Sequence, residues 1–122
     1  MIAFRPEDLS PMSDCVFCKI VAGELPSKKA FETERLLAFE DINPKAPTHL
    51  LLVPKNHVVN LLDTAADPAL LGEIVAASAE IARRRGVTDY RLLTNTGPEA
   101  GQVVFHLHFH LLAGRRMKLP PG

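Results

Sequence analysis

Residues Val103–Leu112 read VVFHLHFHLL, an apolar run with a histidine at every second place from His106 to His110. Period-two alternation predicts a strand. It sets His106, His108 and His110 on one face and Phe105, Leu107, Phe109 and Leu111 on the other. Neighbouring imidazoles then start ~6.5 Å apart along the strand. The apolar face demands a cover, so the chain must build a sheet with something packed across it.

The rest of the sequence supplies both. The stretch FCKIVAGE predicts a short helix closed by Gly23. Ala30–Glu32 and Leu36–Asp41 predict a hairpin around Thr33–Glu34–Arg35, followed by a loop over residues 43–47. His49–Val53 and Tyr90–Asn95 predict two further strands, and a glycine-bearing loop, Thr96–Gln102, leads into Val103–Leu112. A helix is predicted from Pro68 to Arg85, with Asp67 as its N-cap, Pro68 in the first turn and Gly86 just past its end. Leu70, Ile74, Ala77, Ser78 and Ile81 form a single stripe along it. Arg83, Arg84 and Arg85 read as a solvated helix end at the negative pole of the dipole. Five strands and one long helix, out of strict alternation, predict an α+β fold with a five-stranded, mainly antiparallel sheet.

At 122 residues the chain has room for one domain. We expect residues 1–14 to be a loosely ordered leader, with Met12 as a candidate start, and residues 15–122 to be the domain. The 14 basic side chains balance 14 acidic ones, which argues against nucleic-acid or membrane partners held by bulk charge. No apolar run approaches the ~20 residues of a membrane span. The N-terminal residues lack a charged-then-apolar signal pattern. The expected location is the cytoplasm, where Cys15 and Cys18 stay reduced and their two-residue gap needs a reason other than a disulfide.

The histidine face admits three readings. The imidazoles are structural; or they bind a metal, although one flat strand sets three ligands in a line where a tetrahedral ion needs them converging; or they perform phosphoryl chemistry. In the third, one imidazole attacks phosphorus while a second gives a proton to the leaving group. The loop before them favours this reading, because Gly97 and Gly101 allow close backbone approach and the N–H groups around Gln102–Val104 suit phosphate oxygens.

Asn95–Thr96–Gly97, Gly101–Gln102 and His106–Leu112 together resemble the signature of the histidine triad superfamily, and within it the nucleotide-binding branch of purine nucleoside phosphoramidases. Cys15–Ile20, Ala38–Ile42, Ala46–His49, Gly114–Met117 and Pro120–Gly122 are similar to the same branch. The resemblance implies a homodimer whose sheets join into one of ten strands. It implies His108 as the nucleophile through Nε2 and His110 as the phosphate contact that assists the leaving group. Asp41 would take the ribose hydroxyls, and Phe17, Ile20, Phe39 and Ile42 would line a slot for the base. Asn95, Gly101 and Gln102, with the backbone of Val103 and Val104, would orient the phosphate. Cys15, Cys18, His49 and His106 would complete a Cys2His2 structural zinc site.

Three positions depart from that pattern. Val103 replaces a small hydroxyl residue common in the family, so a slower enzyme is expected. Glu40 stands where some relatives carry histidine, and Leu119 where some carry tryptophan. The implied activity is hydrolysis of the P–N bond in purine nucleoside phosphoramidates, such as adenylylated amines, through a nucleotidyl-histidine. A dinucleoside polyphosphate hydrolase and a nucleotide-binding scaffold with incidental turnover are the alternatives.

Overall fold

A computed structural model describes residues 14–118. The leader up to residue 13, with Met12, and the tail from Leu119 to Gly122 lie outside the described residues. In chain order the elements are α1 (Val16–Val21), β1 (Lys29–Glu32), β2 (Leu36–Glu40), β3 (Thr48–Pro54), α2 (Pro68–Arg85), β4 (Tyr90–Leu93) and β5 (Phe109–Ala113). The strands form a five-stranded sheet in the order β1-β2-β3-β5-β4, antiparallel at every pairing.

Helix α2 spans the predicted residues because its ends carry their own chemistry. The Asp67 side chain accepts from Leu70 N, Pro68 opens the first turn, and Gly86 leaves in the left-handed region at φ 69°. Leu70, Ile74, Ala77 and Ile81 pack on one face of the sheet against Leu36, Ala38, Leu50, Leu52, Leu107 and Leu111. The alternate residues of the same strands, Leu37, Phe39, Leu51 and Val53, build a second cluster on the opposite face with Cys15 and Phe17 of the α1 region. The long helix therefore covers one face, and the paired cysteines sit on the other. Among the described residues, no helix is long and apolar enough to cross a membrane.

The last strand is shorter than its sequence pattern. Only His110 of the three histidines lies within β5; residues 104–106 bend, and the strand begins at Phe109. The cause is a change of partner. β3 pairs with β5 from Thr48↔Ala113 to Leu52↔Phe109 and then runs on to Pro54. Residues 106 and 107 bond to the segment beyond β3 instead, His106 Nε2 to Pro54 O and Leu107 N to Val58 O. The facing still alternates: Leu107 enters the helix-side core while His106 and His108 stack beside Phe17. Phe105, expected in the apolar face, is only half-buried.

Candidate active site and metal centre

The three histidines do three different things. His106 is fully buried, and its Nε2–H donates to Pro54 O at 2.8 Å, leaving Nδ1 as a lone pair. That lone pair faces Cys15 Sγ at 3.4 Å and Cys18 Sγ at 3.5 Å. The fourth member of this group is His57, whose Nδ1 lies 3.2 Å from Cys18 Sγ. In a tetrahedral zinc site, bond lengths of about 2.3 Å to sulfur and 2.0–2.1 Å to nitrogen put S and N about 3.6 Å apart. The observed separations match that geometry. Two thiols and two imidazoles, with the outer nitrogen of His106 anchored on a carbonyl, form a donor set suited to a metal ion. Without a cation, burial and the neighbouring Cys15 push the Cys18 thiol up to about 12. A bound cation reverses that cost, because thiolate is the ligand form.

His49 is not the fourth member, contrary to the expectation from sequence. It sits near the start of β3, opposite Leu112, whereas Cys15 and His106 gather beyond the strand's far end at Pro54. Five residues of strand separate the two places, about 17 Å. His57, just past Pro54, is at the correct end.

His49 instead joins Asp41 and His110. The backbone N–H of Lys45 donates to His49 Nδ1 at 2.9 Å, so the His49 proton resides on Nε2. From there it reaches His110 Nδ1 at 2.9 Å, with Asp41 Oδ2 at 3.3 Å sharing it. His110 accepts at Nδ1 and therefore carries its own proton on Nε2. These three residues are close enough to suggest a metal site, but a protonated Nε2 cannot ligate. The geometry is that of a hydrogen-bond chain that presents an N–H donor at its end.

His108 has the opposite tautomer. Its Nδ1 lies 2.7 Å from the carbonyl of His106, which only a donor satisfies, so Nε2 keeps a free lone pair. Thr94 Oγ1 donates to His108 O at 2.7 Å and fixes that backbone. Phe17 stands edge-on to His108 with ring centroids 5.0 Å apart, and His110 is 5.1 Å away on another side. Burial pushes His108 below its ordinary value. Burial, with His108 and His49 alongside, pushes His110 down to about 4. At pH 6 an ordinary histidine is more than half protonated, whereas His110 is expected to be neutral. Ring-nitrogen NMR at pH 6 should find His108 protonated at Nδ1 and His110 at Nε2. The opposite pattern at either ring would overturn this proton assignment. Because the folded chain resists this protonation, His110 favours folding fully above about pH 6.5 and loses that effect as acid carries the pH down through about 4.

Of the expected base-slot residues, Phe17, Phe39 and Ile20 come together, with the phenylalanine rings 5.6 Å apart at 74°. Ile42 is 91% exposed and stands outside that buried cluster. Asp41 follows β2, and its Oδ1 also accepts from Asn43 N. Asn95 packs beside Gly101, which adopts φ 101°. Val103 is 82% exposed, whereas Gln102 is buried. The Gln102 carboxamide is spent inside the protein: Nε2 donates to Val59 O and Val104 O, and Oε1 accepts from Gly97 N and Asn60 Nδ2. It has no capacity left for a phosphate. His57, Asn60 and Thr94 were not singled out by the sequence reading. Only His57 carried a signal there, as one of five histidines in the chain.

The sequence pattern of the HIT domain matches residues 22–117. The chain belongs to the HIT family. An uncharacterised HIT-like protein of Synechococcus elongatus is 46% identical over 111 residues, covering 89% of this chain and 97% of the relative. Protein HitA of Neisseria gonorrhoeae is 46% identical over 103 residues, covering 83% and 96%. Among solved structures, a HIT family hydrolase from Legionella pneumophila superimposes with a TM-score of 0.85 at 45% identity, covering 89% of this chain and all of that one. The α+β HIT fold expected from sequence is the fold observed. The cysteine pair precedes the span matched by the family pattern.

Proposed function

We propose that this HIT protein hydrolyses the P–N bond of purine nucleoside phosphoramidates through a nucleotidyl-histidine intermediate. The observation that carries the reading is the His108 Nδ1–His106 O hydrogen bond, which leaves Nε2 as a buried, uncharged nucleophile. His108 Nε2 attacks phosphorus and forms a P–N bond to the enzyme. The substrate P–N bond breaks, and the amine departs with the proton that His110 holds on Nε2. His110, having given that proton away and held meanwhile by the His49 Nε2–H hydrogen bond, regains one from water as that water attacks phosphorus. The nucleoside monophosphate leaves, and His108 is regenerated.

Around that centre, Asp41 takes the ribose hydroxyls, and Phe17, Phe39 and Ile20 flank the base. Asn95, Gly101 and the backbone N–H groups of Val103 and Val104 hold the phosphate. Val103 offers no side-chain donor beside its backbone N–H, so modest turnover is expected. The solved relatives called HIT family hydrolases support hydrolysis in general. Zinc in the Cys15, Cys18, His57, His106 group serves as a structural tie, which suits a chain kept in the cytoplasm with reduced thiols. Purified protein should release monophosphate from adenosine phosphoramidate faster than from a diadenosine polyphosphate. The reverse order would favour the polyphosphate hydrolase reading, and no turnover of either would favour a nucleotide-binding scaffold.

The protein acts as a twofold dimer in this reading. Helix α2 buries its predicted stripe in its own core yet leaves Val75 53% exposed, and the edge strand β4 leaves Tyr90 exposed. An exposed apolar position on the helix and an unpaired sheet edge among the described residues suit a second copy. Light scattering at micromolar concentration should give the mass of two chains; a stable monomer would reject the assembly.

A further inference from the structure

We infer that Gln102 and Asn60 are positioning residues that aim the backbone N–H groups of residues 103 and 104 at the phosphate, without touching it themselves. This inference rests on the phosphate reading of the site proposed above. Asn60 and Gln102 are both buried, at 2% exposure each, in a loop region where buried side-chain amides are costly unless fully bonded. Gln102 is fully bonded, and both ends of the Asn60 amide have a partner. The Gln102 carboxamide uses two donors and two acceptor positions on four partners, which is the whole capacity of a primary amide. Its orientation is fixed by partners that cannot reverse roles: Gly97 N only donates, and Val59 O and Val104 O only accept. Asn60 must then present Nδ2 to Gln102, and its Oδ1 accepts from Leu62 N at 2.9 Å.

The consequence is geometric. Gln102 N and Oε1 clamp Gly97, at the start of the loop, while Nε2 clamps Val104 O, at its end. Val59 O and Asn60 anchor the clamp to the segment that follows β3. No described backbone carbonyl accepts from Val103 N or Val104 N. The loop is tied at both ends and in its middle, and the donors between remain open. A preset donor array does not have to be ordered when the anion arrives, so its binding contribution is not spent on loop ordering.

The test compares a nucleoside with its monophosphate, because the two differ only in the group this loop would hold. Calorimetry should find wild type binding adenosine monophosphate, or guanosine monophosphate if that base is preferred, about tenfold or more tighter than the matching nucleoside. Gln102→Met keeps the side chain's length and neutrality but removes all four hydrogen bonds. It should lower that ratio several-fold, leaving the share owed to Asn95 and His110, while nucleoside affinity stays unchanged. Asn60→Ala should lower the ratio in the same direction by a smaller factor. A general loss of structure would move both ligands together. A ratio that persists in both variants overturns the positioning role and leaves the functional reading standing. A wild type indifferent to the phosphate overturns both. Should Gln102→Met fail to fold, wild type alone decides: its Gln102 carboxamide protons should exchange slowly with solvent, with or without monophosphate. Fast exchange would mean the clamp does not exist.

Discussion

Replacing His108 with glycine is expected to lower turnover of a nucleoside phosphoramidate by about a thousandfold or more, with monophosphate affinity changed by no more than a few-fold. The large effect follows because no other described group offers a free imidazole lone pair beside His110. The small effect follows because the cavity left by the ring does not disturb Asp41 or the loop at Gly101. Rapid acid quench of wild type with radiolabelled nucleoside phosphoramidate should place label on the peptide containing His108, formed and lost at rates that account for turnover. A glycine variant that turns over substrate like wild type would sink the covalent mechanism and bring the scaffold reading forward.

The second large effect concerns the metal. Purified protein should hold about one zinc per chain, and His57→Ala should lose it, whereas His49→Ala should keep it. A metal held at a hundred times its dissociation constant stabilises the fold by about 3 kcal/mol. In a domain of this size its removal should lower Tm by about 10 °C. Metal analysis and thermal unfolding of the two variants, with and without chelator, measure both quantities. Zinc retained by His57→Ala but lost by His49→Ala would restore the ligand set first expected from sequence. Zinc surviving loss of both Cys15 and Cys18 would point to the histidines alone.

What was legible in the sequence was whatever carried its own local chemistry. Helix α2 announced its limits through Asp67, Pro68 and Gly86, and its buried face through the spacing of Leu70, Ile74, Ala77, Ser78 and Ile81. The hairpin of β1 and β2 was legible for the same reason. The strand through the histidines was read too long, because side-chain alternation persists whether or not a neighbouring strand is present to bond the backbone. Residues 106 and 107 keep the alternation but bond to Pro54 and Val58, which are distant in sequence. The choice between His49 and His57 likewise depended on which end of β3 meets the cysteines, a fact that spacing along the chain does not encode. Ile42 was grouped with the phenylalanines through the family resemblance, and it lies just past β2 in an exposed bend. Asn60 gave no signal, since nothing in a lone asparagine foretells a buried partner 42 residues away.

The acceptor that sets the tautomer of His108 is a main-chain oxygen, and this determines where the site is vulnerable to mutation. Every residue type at position 106 supplies the same carbonyl, so point mutation there removes an imidazole from the Cys15, Cys18, His57 and His106 group yet cannot delete the acceptor that orients the His108 ring. The instruction that readies His108 is inherited with the path of the backbone. It is lost only through changes that redirect the chain between Gln102 and Phe109, such as a proline or a one-residue insertion. A descendant of this protein could therefore replace Cys15, Cys18, His57 and the His106 side chain with ordinary packing and still keep His108 protonated at Nδ1, the state the proposed mechanism uses.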